Sequence, residues 1–127
     1  MAVPGDSLDR VNLNAVALTE TVAHGGVGTV RFSRLADAAA TDGTCNFIDL
    51  AVLPPGSSIG RHRHRPDEEE FYLVLEGTGS MWRDGAEFQV GPGDLVRNRP
   101  GGSHSLVNTG AADLRLFVFE VAAGSRS

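Results

Sequence analysis

The amino-acid sequence predicts an all-β protein, an antiparallel β-barrel of the jelly-roll type. Short apolar segments rich in Val, Phe and Thr recur about every 8–12 residues, which is the spacing of strands in a sandwich or barrel. Turn-forming residues separate these segments, and the 127-residue chain contains 16 glycines and 6 prolines. Helical periodicity is confined to one short stretch. About eight or nine short strands folded into a single barrel account for this pattern.

The composition is typical of a soluble globular domain. A formal net charge of −5 argues against nucleic acid or an anionic membrane surface as a partner. All 11 basic residues are arginine, so Schiff-base chemistry through a lysine is excluded. Cys45 is the only cysteine, which rules out an intramolecular disulfide and favours the cytoplasm as the compartment. We expect neither a signal peptide nor a membrane span, because no apolar run approaches about 20 residues.

The beginning of the chain predicts an arm followed by the barrel. Residues 1–28 lack a clear hydrophobic period, and the alternation from Val11 to Leu18 indicates either an edge strand or part of the arm. Thr29 to Leu35 alternates as a strand. We therefore expect a single barrel domain at residues 29–122, preceded by the arm and followed by a flexible tail at residues 123–127.

The middle of the chain predicts one helical turn and three strands. Leu35 to Ala40 is the helix-like segment, and it is long enough for one turn at most. Cys45 to Leu53 is a strand that Pro54-Pro55-Gly56 ends, because proline cannot donate a hydrogen bond to the ladder. Ser58 to His64 follows as a short strand, and Glu70 to Glu76 gives the clearest strand signal in the sequence.

The C-terminal half predicts a hairpin and further short strands. Asp84-Gly85 is a favoured two-residue hairpin turn, and glycine–proline turns divide the remaining segments. The strands are placed at Ser80 to Arg83, Ala86 to Val90, Leu95 to Arg97, Ser103 to Asn108 and Leu114 to Val121. We expect the apolar last strand to form a sheet edge that two chains cover by pairing as a homodimer.

Three histidines and a carboxylate form the strongest chemical pattern. His62 and His64 are separated by one residue, so in a strand their side chains point to the same face. Glu70 opens the next strand, and His104 lies in a later one. Three imidazoles and one carboxylate, with no thiolate, suit a divalent Fe, Mn, Ni, Cu or catalytic Zn ion. The pattern predicts a metal site in a small β-barrel.

Two stretches of the sequence resemble the conserved motifs of the cupin superfamily. The first runs from Gly56 through both neighbouring histidines to Gly77, and the second runs from Gly93 to Asn108. The resemblance implies an antiparallel double-stranded β-helix, the jelly-roll barrel of small single-domain cupins. It also implies one divalent metal inside the barrel. The ligands carried over by position are His62, His64, Glu70 and His104.

Register decides which glutamate is the expected ligand. The loop between His64 and Glu70 is longer than is usual in the family, so counting forward selects Glu68 or Glu69. Counting back from Gly77 along the strand selects Glu70. Strand register is enforced by side-chain alternation, whereas a loop absorbs an extra residue easily. We therefore assign Glu70 as the ligand and keep Glu69 as the alternative.

Other residues are candidates for catalysis, substrate binding or stabilising a turn. Tyr72 shares a face with the ligand glutamate and is the candidate catalytic residue, for acid–base chemistry or substrate orientation. Arg97 and Arg99 are candidates for binding an anionic group of a substrate. His24, the fourth histidine, is expected to be an exposed loop residue. Asn108 is expected to stabilise a turn by hydrogen bonding.

The cupin resemblance implies a class of function and leaves the reaction open. The first hypothesis is an enzyme in which the metal acts as a Lewis acid or activates dioxygen, in isomerase, cyclase, lyase or dioxygenase chemistry on a small metabolite. The alternative is a non-catalytic module that binds a sugar or another small metabolite. Under both hypotheses the expected partners are a small-molecule ligand and a second copy of the chain.

Overall fold

The computed structural model describes residues 8–124, which form two antiparallel sheets. The strands in this range are β1 (Thr19–Thr21), β2 (Val30–Asp37), β3 (Cys45–Leu53), β4 (Ser58–Arg63), β5 (Glu68–Glu76), β6 (Gly79–Arg83), β7 (Ala86–Val90), β8 (Leu95–Asn98), β9 (Ser103–Asn108) and β10 (Leu114–Ala122). A short 3₁₀ helix, Ala38–Ala40, follows β2. This part of the chain holds no helix with the length and hydropathy needed to span a bilayer. The predicted all-β jelly-roll fold is confirmed.

The two sheets pack against each other around one core. The larger sheet has the order β1-β2-β3-β10-β5-β8, and the smaller has the order β4-β9-β6-β7. Val74 and Leu116 from the larger sheet share one apolar cluster with Met81 and Leu106 from the smaller sheet. Side chains alternate between buried and less buried positions along β9 and β10. Polar residues at the inward positions of opposite sheets are therefore brought face to face.

The C-terminal strand lies in the interior of the larger sheet. β10 pairs along its length with β3 on one side and with β5 on the other. The expectation of an edge strand is wrong, because β3 and β5 pair with both edges of β10 and leave it no free edge for a second chain. Both of its faces are apolar as well: Leu116 and Val118 face the core, and Phe117 and Phe119 lie on the outer face. The homodimer remains a prediction, but an exposed edge at β10 no longer supports it.

The segment from Val11 to Leu18 forms an arm and contains no strand. Its apolar side chains Val11, Leu13, Val16 and Leu18 pack against Leu35, Leu50 and Val52 of the larger sheet. The strand β1 follows directly and pairs with β2. The edge-strand alternative for Val11 to Leu18 is therefore wrong, because burial of these side chains is satisfied by packing on the chain's own sheet. The domain boundaries stay predictions, and residues 1–7 and 125–127 lie outside the described residues.

The hairpin turn and the hydrogen bonds of Asn108 form where the sequence predicts them. Asp84-Gly85 joins β6 to β7 with φ values of 49° and 91°, the positive pair that a type I′ hairpin turn requires. The side chain of Asn108 donates to the carbonyl oxygens of Leu53 and Ala112 at 2.7 and 2.8 Å. Its Oδ1 accepts from the backbone N–H of Gly110 at 2.9 Å. The expected hairpin and the stabilising role of Asn108 are confirmed.

Candidate metal centre

Four side chains from both sheets meet inside the barrel. His62 lies in β4, and His64 follows directly after that strand. His104 lies in β9, which pairs with β4 so that His104 is directly opposite His62. Glu70 lies in β5 of the other sheet. Because the two sheets face each other, the histidines of the smaller sheet approach the glutamate of the larger one.

The ligand atoms of these four residues lie within 4.8 Å of one another. Nε2 of His64 is 2.7 Å from Nε2 of His104. Each of these two nitrogens is 3.3 Å from Oε1 of Glu70. His64, Glu70 and His104 are buried, and His62 is half-buried. The structure thus brings the residues of the expected ligand set together in one cluster.

The chemistry of this cluster fits a divalent transition metal. Oε1 of Glu70 is buried and accepts no hydrogen bond, although buried polar atoms are normally paired. The Nε2 atoms of His64 and His104 face each other, an arrangement that requires a proton or a cation to bridge their lone pairs. Three imidazoles and one carboxylate are a donor set that Fe, Mn, Ni, Zn and Cu accept.

The electrostatics of the cluster favour the ligating forms of two residues. Burial alone would raise the pKa of Glu70, but the adjacent rings of His104 and His64 outweigh burial and lower this pKa to about 2. Burial lowers the pKa of His62 to about 4, so this ring is neutral at pH 7. The contact with Glu70 raises the pKa of His64 in spite of burial. A metal therefore competes with a proton at His64 and meets a ready ligand at His62 and Glu70.

Backbone and ring contacts fix the orientation of His62. Its Nδ1 lies 2.8 Å from the carbonyl oxygen of Gly60, and donation to this oxygen leaves Nε2 with its lone pair free. The ring of His24 stacks on the ring of His62, with centroids 3.6 Å apart and planes 8° from parallel. His24 is exposed, as expected, but it also lies at the site, which the sequence did not predict.

Two glycines allow the turn that carries His24 to approach β4. A Cβ atom at Gly60 would overlap the carbonyl oxygen of His24, and a Cβ atom at Gly26 would overlap the carbonyl oxygen of Ser58. The backbone N–H of Gly60 donates to the carbonyl oxygen of Ala23 at 2.9 Å. Glycine at both positions is the sequence signal for this close approach, but it becomes readable only when the two segments are known to be neighbours.

The geometry favours Glu70 over its neighbours as the carboxylate of the cluster. Glu69 points away from the cluster and forms an ion pair with Arg97. Glu68 approaches Glu120, with carboxylate oxygens within 4.8 Å of one another. Glu70 alone of these three consecutive glutamates joins the group with all three histidines. Side-chain alternation along β5 turns Glu69 to the opposite face, whereas Glu68 shares the face of Glu70 but lies one inward position earlier, where it joins His64 and Glu120 and not the other two histidines.

A cavity of about 490 Å³ lies beside the cluster. Its apolar walls include Val30, Phe32, Phe47, Ala51, Ile59 and Val118. Its polar walls include Arg34, which forms an ion pair with Asp49 and stacks over the ring of Phe47. The volume lies within the range of about 300–1,000 Å³ that is common for small-molecule sites. The cluster therefore opens onto a space large enough for a metabolite.

The structure separates the candidate catalytic residue from the candidate arginines. Tyr72 is buried in the cavity wall, and its ring meets the ring of His104 edge-on at 5.3 Å between centroids. Arg97 and Arg99 are exposed and do not line the cavity. In β8 the inward position belongs to Asn98, so alternation turns Arg97 outward. The placement gives no support to the expected role of these two arginines in substrate binding.

Sequence reasoning missed several polar residues of the site. Arg34, Asp49 and Glu120 line the cavity, and they come from β2, β3 and β10. Glu120 had one readable signal, which is a charge at an inward position of an otherwise apolar strand. Arg34 and Asp49 carry the same signal, because Arg34 shares a face with Val30 and Phe32 in β2, and Asp49 lies between Phe47 and Ala51 on one face of β3.

Comparison with known proteins decides the family. A protein-family model described as a cupin domain matches residues 49–120, which is more than half of the chain. The chain belongs to the cupin family. Over 90 residues this cupin is 36% identical to an oxalate-binding protein of Thermotoga maritima, and the match covers 71% of the chain and 74% of that relative. A shorter match of 43 residues is 46% identical to quercetin 2,3-dioxygenase of Bacillus subtilis, covering 34% of the chain and 12% of that enzyme.

A solved structure shares the fold of this cupin. It is a protein of Thermotoga maritima described as a predicted oxalate decarboxylase. The two superpose with a TM-score of 0.84 at 30% sequence identity, covering 89% of this chain and 98% of the other. The match supports the jelly-roll assignment over nearly the whole length of both chains.

Proposed function

We propose that this cupin is a divalent-metal-dependent enzyme that acts on a small metabolite. The observation that carries the proposal is the convergence of ligand atoms from His64, Glu70 and His104 within 3.3 Å, beside a cavity of about 490 Å³. Four protein ligands on a metal that accepts six leave about two positions for other ligands. A purely structural metal site is closed and has no need of an adjoining cavity.

Residues of the cavity wall would bind and orient the substrate beside the metal. When bound, Fe, Mn, Ni, Zn or Cu supplies Lewis-acid chemistry or, for a redox-active metal, dioxygen activation. The apolar wall that includes Phe32 and Ile59 would orient the carbon skeleton of the substrate and exclude water. Burial and the nearby charge of Glu70 raise the pKa of Tyr72 well above its usual value, so Tyr72 keeps its proton. We assign Tyr72 the role of orienting the substrate by donating a hydrogen bond, because a raised pKa disfavours transfer of its proton.

A second candidate function is non-catalytic binding of a small dicarboxylate. The similarity to an oxalate-binding protein over 71% of the chain favours it. A bidentate ligand of this kind would occupy the two positions that the four protein ligands leave open. The match to a stretch of quercetin 2,3-dioxygenase and the size of the cavity favour the enzyme and a larger substrate.

Metal content tests the proposal directly. We would measure it by plasma mass spectrometry on tag-free protein and on a His62→Ala/His104→Ala double variant. The expected result is about one divalent metal per chain in the wild type and loss of this metal in the variant. Absence of metal from the wild type, even after reconstitution with each of the five candidate metals, would overturn the metal-dependent function.

The identity of the metal then directs the assays that separate enzyme from binding module. Iron leads to oxygen-uptake measurements with candidate substrates, and zinc or nickel leads to isomerase, lyase and cyclase assays. Calorimetric titration of the metal-loaded protein with oxalate tests the second candidate. Binding of oxalate that depends on the metal, with no turnover of any substrate class, would favour the non-catalytic module.

Two further expectations belong to this proposal. We propose a homodimer, because edge strands such as β8 expose backbone groups and Leu95, which is 63% exposed. Gel filtration coupled to light scattering that gives a strict monomer would exclude it. We also place the enzyme in the cytoplasm, acting on a small molecule and on neither nucleic acid nor membranes, in agreement with one cysteine and a net charge of −5.

A further inference from the structure

Glu120 is a carboxylate at an inward position of a strand that is otherwise apolar on that face. Leu114, Leu116 and Val118 occupy the preceding inward positions of β10, and all of them are buried. Glu120 is only 4% exposed. A buried carboxylate is costly unless its oxygens are paired. The contacts of this side chain therefore show what it is placed to do.

Both oxygens of Glu120 have a partner. Oε1 lies 3.3 Å from Nδ1 of His64. Oε2 accepts a hydrogen bond of 2.9 Å from Nδ2 of Asn46, which lies in the neighbouring strand β3. Along β10 and β5, Glu120 is directly opposite Glu70. The two glutamates thus approach the same imidazole from the larger sheet, Glu70 at Nε2 and Glu120 at Nδ1.

We propose that Glu120 is a positioning residue for the metal ligand His64, and that Asn46 holds Glu120 in place. This inference rests on the proposed metal-dependent function. Donation of the Nδ1 proton to Glu120 leaves the lone pair on Nε2, which is the nitrogen that faces the metal site. The same contact fixes the ring plane and makes Nε2 of the imidazole a stronger electron-pair donor to the metal. His62 receives the equivalent support from the carbonyl oxygen of Gly60.

Glu68 offers a matched control because it is a neighbouring carboxylate without this contact. It belongs to the same inner group as His64 and Glu120, within 4.8 Å. Its Oε1, however, accepts a hydrogen bond of 2.8 Å from the backbone N–H of Arg65. Removing its charge changes the field at the metal site in a similar way, without removing the Nδ1 partner of His64.

The test compares Glu120→Gln, Glu68→Gln and Asn46→Ala in the full chain. The first readout is the dissociation constant for Zn²⁺, measured by chelator competition. We expect Glu120→Gln to weaken Zn²⁺ binding about 10- to 100-fold, which is the usual effect of losing a partner of a ligating histidine. Asn46→Ala should have a smaller effect, because Glu120 keeps its contact with His64. Glu68→Gln should change the dissociation constant by less than about threefold.

Two readouts separate positioning from a merely structural role. The thermal midpoint of metal-free Glu120→Gln should equal or exceed that of the wild type. Burial and repulsion from Glu68 and Glu70 disfavour the charge of Glu120 more than its contacts with Asn46 and His64 favour it, so its pKa is raised, and a neutral amide removes this cost. At saturating Co²⁺, the visible ligand-field spectrum of Glu120→Gln should shift, whereas that of Glu68→Gln should match the wild type.

Three results would overturn the role of Glu120. The first is an equal loss of Zn²⁺ affinity in Glu120→Gln and Glu68→Gln. The second is a lowered thermal midpoint of metal-free Glu120→Gln together with an unchanged Co²⁺ spectrum, and the third is a second Zn²⁺ per chain that disappears in both variants. Wild-type affinity in Glu120→Gln would refute this role while leaving the proposed function intact. Failure of the wild type to bind Zn²⁺, Co²⁺ or any other candidate metal would refute both.

Discussion

The substitution Glu70→Gln tests the register of β5 and the nature of the cluster together. It keeps the shape of the side chain and removes one negative charge. Glu70 is only 6% exposed, and its Oε1 lies 3.3 Å from Nε2 of His64 and of His104. Solvent therefore screens this charge weakly, so it interacts strongly with a bound cation. We expect the Glu70→Gln variant to lose most of this interaction.

The expected loss in metal affinity follows from the position of this charge. Two unit charges about 4 Å apart interact by about 4 kcal/mol at an effective dielectric constant of about 20. For a divalent metal the electrostatic term is larger, and the amide oxygen that remains restores part of it. About 4 kcal/mol is therefore a reasonable net loss, which raises the dissociation constant about a thousandfold.

The two neighbouring glutamates provide controls for the same assay. Glu69 points away from the cluster and pairs with Arg97 at the surface, so Glu69→Gln should leave metal affinity nearly unchanged. Loss of this surface ion pair should lower stability by about 1 kcal/mol or less. Glu68→Gln should have an equally small effect. The measurement is Zn²⁺ or Co²⁺ affinity by chelator competition, with metal content per chain as a check. Equal and negligible effects of all three substitutions would refute the register argument, and a large effect of Glu69→Gln alone would reverse the assignment.

Three further predictions address the frame of the site, its response to pH and the core. Gly60→Ala should lower the free energy of unfolding by about 1–3 kcal/mol, because the added methyl group overlaps a backbone carbonyl of the opposite turn. Urea melts measure this loss, and Gly43→Ala is the control, because nothing lies within 4 Å of a Cβ atom there. Metal affinity should fall on acidification beginning above pH 6.5, because the pKa of His64 is raised and each metal bound must displace its proton; affinity that stays constant between pH 8 and 6 would contradict this. Leu116→Ala should lower the free energy of unfolding by about 2–5 kcal/mol at a fully buried position, whereas Val27→Ala at an exposed position should change it little. Similar urea midpoints of the two variants would refute the assigned core.

Much of the fold could be predicted because its signals are local. The Asp84-Gly85 turn needs two positive φ values, and this dipeptide accepts them at low cost, so the hairpin is visible in the sequence. The segment Ser103–Asn108 is a strand with the predicted bounds. The cluster of His62, His64, Glu70 and His104 could also be predicted. Strand alternation gives the shared face of the two neighbouring histidines, and the resemblance to the cupin motifs adds the glutamate and the third histidine.

The errors concern relations between segments that are distant in sequence. The sequence favours an edge position for β10, yet this strand lies between β3 and β5, since apolar strands look alike in sequence whether one neighbour or two cover them. Arg97 is a candidate for the site in the sequence, but its strand turns it outward. Arg34 and Glu120 reach the cavity because the order of strands in the larger sheet places β2, β3 and β10 behind it.

Strands, the hairpin turn and the side chains that share a face of each strand can be derived from the sequence without a structure. These properties depend on backbone alternation and turn chemistry, which act over a few residues. Three features of the site emerge only from the folded chain: His24 stacks on His62, Glu120 supports His64, and the glycines at positions 26 and 60 allow one close approach. Each of these contacts joins segments that are far apart in the sequence. The pairing and packing of the two sheets choose which distant segments become neighbours, and no local pattern of residues encodes that choice.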